Sequence, residues 1–145
     1  MSQHTRHGNL ERGSATIEAV IGVPAFLLFV LLIIAAGRLA VARQAVEASA
    51  AEAARSVSIS RTQRQAEASG ASGAAISLRN QGVRCASQRV DIDTRGFATP
   101  VGTPAKVTAT VTCIADLSDL SIPGLPGSRT ITATMSSPID TYRER

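Results

Sequence analysis

Few side chains in this 145-residue sequence combine a type and a spacing that chemistry can use, and Glu18 is the first of them. It stands five places after Gly13 and directly before an uncharged stretch, residues 19–37. A carboxylate at the rim of a membrane is costly unless something pairs with it, so Glu18 calls for a cationic partner. Cys85 and Cys113 are the 2 cysteines of the chain, and they are either plain buried thiols, as in a cytosolic chain, or partners in a bridge or a metal site. Ligation lacks companions, because the histidines are His4 and His7, far away near the amino terminus. Asp91 and Asp93 alternate along a predicted strand and so share a side, a spacing that calcium binding or acid–base work would use. Nothing beside them completes either site, and they read as solvated strand residues. There is no Ser/His/Asp set, metal cluster or phosphate loop to support catalysis. The expectation is therefore a non-enzymatic protein with no cofactor and no small-molecule substrate.

Composition narrows the classes further. The formal net charge is +4, but the cations are spread along the chain with acidic residues between them. A nucleic-acid footprint needs clustered Lys/Arg and base-stacking aromatics. The aromatics here are Phe26, Phe29, Phe97 and Tyr142, and two of these lie inside the apolar stretch. No nucleic-acid partner is expected, and any folded head is small, with little bulky material for its core.

The stretch from Ala19 to Gly37 reads AVIGVPAFLLFVLLIIAAG. As a helix it would span roughly 28 Å, which matches a hydrocarbon core. The run from Phe26 to Ile34 is apolar on every face, unlike a surface helix of a small soluble domain. Pro24 removes one backbone donor, which membrane helices tolerate as an ordinary kink. Arginines flank both ends of the segment, Arg6 and Arg12 before it and Arg38 and Arg43 after it, so charge alone does not orient it. Two plain readings compete for this region. A secretory signal peptide would use Ala40-Val41-Ala42 as its cleavage site, although the apolar run is longer than that class uses and Arg38 intervenes. An unprocessed single-pass anchor would explain the hydrophobicity and leave Glu18 without a reason.

The phrase Glu11-Arg12-Gly13-Ser14-Ala15-Thr16-Ile17-Glu18-Ala19, with the apolar run that follows, resembles the processing site of type IV pilins and pseudopilins. Within them it looks like the TadE-like group, small pseudopilins of the tight-adherence (Flp) pilus systems. The resemblance implies that a prepilin peptidase cuts after Gly13, that Ser14 becomes the new amino terminus, and that Glu18 is the glutamate at mature position five. It further implies that Glu18 faces the free terminal amine of a neighbouring pilin or pseudopilin subunit and so sets the register of assembly. Opposite charges in a low-dielectric bundle attract far more strongly than in water. Ser14 replaces the aromatic residue common at that first mature position, and Ala19 replaces the tyrosine of major Flp subunits. Both departures, with the greater length of this chain, argue for a minor or accessory subunit.

Beyond the membrane segment, residues 38–69 are rich in alanine and free of glycine and proline, so the helix is expected to continue. Leu39, Ala42, Val46, Ala50, Ala53 and Val57 recur at helical spacing and form a narrow seam, open either to the protein's own head or to a partner subunit. Gly70 and Gly73 are expected to break or loosen the helix, with further turns over 74–79. Three segments read as strands, Gln88 to Asp93, Lys106 to Ile114 and Arg129 to Ser136. Between the last two lies an apolar loop, with Leu117, Leu120, Ile122 and Leu125 either folded back on the sheet or offered as a partner surface. In an exported head the two cysteines are expected to bridge.

The chain is thus expected to be α+β and pilin-like, a long amino-terminal transmembrane helix followed by an extracytoplasmic head with a small antiparallel sheet packed on the helix. Its expected organisation is a leader over 1–13, a transmembrane helix over 14–37, an alanine-rich helical extension over 38–80 and a disulfide-stapled β-rich head over 81–145. The leading functional expectation is a minor pilin or pseudopilin of a Tad pilus, held in the inner membrane. The rival is a single-pass, membrane-tethered binding domain unrelated to pili, in which the helix is only an anchor.

Overall fold

Alanine-rich sequence without interruption makes one long helix, and alternating β-branched residues make two long strands. In the computed structural model, which describes residues 11–118 and 126–142 and the side chains from residue 17 onward, the elements run as follows. Helix α1 spans Glu11–Ser58 and α2 spans Gln63–Asn80; strands β1, β2 and β3 span Cys85–Asp93, Ala105–Asp116 and Ser128–Ile139. A short 3-10 turn, Arg95–Ala98, joins the first two strands. The fold is α+β, and the chain forms two units, Met1–Gly37 and Arg38–Arg145.

The first unit is helical throughout its described part, with Pro24 inside the helix. Ile17, Val20, Phe26, Phe29 and Ile33 are all exposed. From Ile17 the helix is long and apolar enough to cross a membrane, and so wide an uncovered apolar surface is unstable in water.

The second unit is the head. Its sheet is antiparallel in the order β1-β2-β3, with Val107, Ala109, Val111 and Cys113 buried on one face. The seam on α1 turns inward to the same core: Ala42, Val46, Ala50, Ala53 and Val57 are buried, and Leu39 packs against them. Of the two destinations open to that seam, the structure shows the protein's own head. Ala45, Ser49 and Ala54 join it, and the fully buried Ser49 hydroxyl donates to the Val46 carbonyl at 2.7 Å. That bond satisfies a group that would otherwise be left unpaired away from water.

The helix break falls elsewhere than the glycines suggest. α1 ends at Ser58, and α2 begins at Gln63, with the Thr62 side chain accepting the Gln65 N–H at 3.3 Å as its N-cap. α2 then runs straight through Gly70 and Gly73 to Asn80, where Gly82 at φ 68° takes the left-handed turn that ends it. Gly70 is buried with Ala66, Ala74 and Leu78 along one side of α2. A β-carbon there would stand 2.5 Å from Ile92 Cδ1 and 2.6 Å from Val57 Cγ2. The glycine is thus a contact residue that lets α2 lie close on α1 and β1, and close packing offsets its roughly 1 kcal/mol propensity cost. Gly70→Val should therefore destabilise the head by about 3 kcal/mol through overpacking. Urea unfolding of the detergent-solubilised chain measures it, and an unchanged midpoint would show that the helix has room to move.

Two polar ties hold the layers in register. The Ser137 hydroxyl donates to Ser58 Oγ at 3.1 Å, joining β3 to the end of α1. The Gln81 side-chain amide donates to the Ala45 carbonyl at 3.4 Å, joining the end of α2 to α1.

Candidate assembly surface

Glu18 lies on α1 in the first unit, and its side chain is exposed among exposed apolar neighbours, Ile17 at 65% and Ile21 at 67%. Four residues further along the helix, on the same side, is Gly22, where a β-carbon would meet nothing within 4 Å. Residues four apart are neighbours on a helix surface, so the carboxylate sits beside a notch that a second helix can approach closely. Sequence reading passed over Gly22; the signal was its i+4 spacing from the only acidic residue near the apolar run. Gly13 and Ser14 belong to the backbone of the first turn of α1, and their side chains lie outside the described residues.

Cys85 and Cys113 are joined as a disulfide, with Cα atoms 5.4 Å apart. The two residues are not directly opposite: Cys85 faces Ala115, Cys113 faces Gln88, and the register shifts between Cys85 and Ser87. The bulge adds one residue to β1 and re-aims its first side chain. A fully buried Cys113 and a half-buried Cys85 thus staple the start of β1 to the core.

The apolar loop after β2 is described only at its ends. Leu117 is half-buried, and its N–H donates to the Gly127 carbonyl at 2.8 Å, closing the loop at the neck. Ser118 N–H donates to Asp116 Oδ1 at 3.0 Å. Hydrogen bonding from Ser118, with the nearby Arg84 charge adding to it, holds the Asp116 carboxyl below its usual range. Leu120, Ile122 and Leu125 lie outside the described residues.

The open face of the sheet is hydroxylic. Thr108 pairs with Ser136 at 2.9 Å, Thr110 with Thr134 at 2.9 Å and Thr112 with Thr132 at 3.2 Å, a row of side-chain hydrogen bonds across β2 and β3. Asp91 and Asp93 share this face, and each has its own arginine. Asp91 accepts from Arg89 at 2.9 Å, and Asp93 from Arg95 Nη2 at 2.5 Å. Hydrogen bonds from the Arg95 side chain, then from its backbone N–H, lower the Asp93 pKa to about 2. The carboxylates are therefore committed to separate guanidinium groups and do not form a pair. Among the described residues no three His, Cys, Asp or Glu side chains gather as a metal site.

The helix that carries Glu18 also carries the similarity to known proteins. The family model described as TadE-like protein matches residues 13–55. That segment begins at Gly13, takes in Glu18 and the whole apolar run, and ends three residues before α1 does. The resemblance read from residues 11–19 is borne out over this stretch. No curated protein and no solved structure matches the sequence.

Proposed function

We propose, from the TadE-like match over residues 13–55, that this chain is a minor pseudopilin of a Tad (Flp) pilus system, a membrane-anchored subunit acting in pilus assembly or initiation. The observation that carries the reading is the isolated carboxylate of Glu18, exposed on an uncovered apolar helix and five places after Gly13, the spacing that the resemblance to prepilins implies. In this reading the peptidase removes residues 1–13, and the freed amine of Ser14 on one subunit meets Glu18 of the next. The ion pair offsets the desolvation of both charges and fixes the axial register of neighbouring helices. The Cys85–Cys113 bridge supports placing the head on the oxidising, extracytoplasmic side of the inner membrane. The work is mechanical: α1 anchors and packs, and the head recognises other pilin subunits.

Amino-terminal and intact-mass analysis of the chain made with a matching prepilin peptidase tests the proposal. A mature protein beginning at Ser14 is expected, and Gly13→Leu should abolish that product. A chain starting at Arg43 would indicate a secreted protein, and one retaining Met1 beside an active peptidase would indicate a plain tether.

A further inference from the structure

The two rims of the sheet are built differently. β1 carries the safeguards that keep sheet edges from pairing: a bulge between Cys85 and Ser87, and the charged Arg89, Asp91 and Asp93. β3, the other outer strand, has 12 residues paired to β2 without interruption from Ser128 to Ile139. From Thr130 to Ser137 it has no charged residue. Pro138, which cannot donate to a ladder, stands only at its end. Among the described residues no strand lies beside this rim.

The sequence of that rim also says what would fit it. Thr130-Ile131-Thr132-Ala133-Thr134-Met135-Ser136 reads nearly alike in both directions about Ala133. An antiparallel copy centred there sets Thr132 against Thr134, Thr130 against Ser136 and Ile131 against Met135. Hydroxyls then meet hydroxyls on the open face, and apolar side chains meet on the face toward the core. β2 already meets β3 through matches of this kind, at Thr110–Thr134, Thr112–Thr132 and Thr108–Ser136. A hydroxyl has one proton to donate and two acceptor lone pairs, so each can take a second partner. A slip of one residue would set threonine against the apolar row, which disfavours the two adjacent registers. Met135 is 37% exposed, and Ile131 of a second copy would cover it.

We propose that β3 pairs with β3 of a second copy of this chain, antiparallel about Ala133, so that two heads share one continuous sheet. One strand rim offers less surface than the roughly 1,200–2,000 Å² that stable soluble complexes bury. The pairing therefore depends on both copies being held in the same membrane, which raises their effective concentration. It rests on α1 as a membrane span and not on a role in pili.

The test uses the full chain in membranes with its native bridge formed. Residues directly opposite in a sheet have β-carbons about 5 Å apart, so Ala133→Cys should give a covalent homodimer on brief oxidation. The yield should exceed at least tenfold that of Ser128→Cys, whose partner in this register is Pro138. A Thr132→Cys chain mixed with a differently tagged Thr134→Cys chain should cross-link as well, an arm that holds if Ala133→Cys folds poorly. Adding Thr132→Lys and Thr134→Lys to Ala133→Cys puts like charges opposite one another and should return the yield to the control level while the head keeps its bridge and protease resistance. The proposal is overturned if neither cysteine arm exceeds the control, if the dimer survives both lysines, or if the cross-linked product is a protein of another mass.

Discussion

Replacing both Cys85 and Cys113 by alanine should lower the stability of the head by about 3.5 kcal/mol and its thermal midpoint by roughly 15–25 °C. The bridge spans 28 residues of sequence, and closing a loop of that length removes much of the freedom of the unfolded chain. Small domains commonly have only 5–15 kcal/mol to lose, and this one has few large side chains to spare: Leu78 is the largest of its fully buried residues. The bridge also secures the bulged start of β1, where the sheet register is irregular. Circular dichroism of the detergent-solubilised chain, with and without reductant, measures the effect. Reductant should reproduce most of the shift in the native sequence and cause none in the double variant. A fall of under 5 °C in both would mean that packing alone holds β1 in place.

Glu18→Ala should leave removal of residues 1–13 largely intact and weaken subunit association by roughly 100-fold, the effect of about 3 kcal/mol when one member of a buried ion pair is lost. The terminal amine of the neighbouring subunit would then enter the bundle without its counter-charge. Glu18→Gln should recover part of the loss, because an amide still accepts a hydrogen bond but carries no charge. Co-purification of partner subunits and counts of surface pili read the outcome. Normal assembly by the alanine variant would remove this account of the carboxylate. Gly22→Leu offers a companion measurement, since it fills the notch beside Glu18 without altering charge and should weaken the same contact by steric means.

Much of the head was legible before its structure, and the reason is periodicity. Lys106 to Ile114 alternates residue by residue, and β2 forms there, extended by one position at its start and two at its end. The helical seam of Ala42, Val46, Ala50, Ala53 and Val57 faces the core as its spacing implies. What periodicity does not carry is the identity of the neighbour. Gly70 reads as a helix breaker in isolation, and only the proximity of Ile92 and Val57 makes it a packing residue inside α2. The true interruption, at Ile59 to Thr62, had a weaker signature, a lone threonine that caps the next helix. Ser49 is polar by type, and it is buried because its hydroxyl folds back on the Val46 carbonyl. For the assembly surface, the spacing of Gly13 and Glu18 was visible at once. Gly22 was passed over although its i+4 spacing from Glu18 stands in the sequence, because a glycine among apolar residues looks like any other small residue.

The interior of the head is built largely from alanine and valine, with a glycine at the helix contact. Its mutational tolerance should accordingly be lopsided. Truncation can remove little from side chains that are already near the minimum, whereas adding a methyl group has nowhere to go in an interior packed as densely as an organic crystal. Random variation will do its damage here chiefly by enlargement, so libraries aimed at stabilising the head should vary its solvent-facing positions and leave the inner layer at its present size.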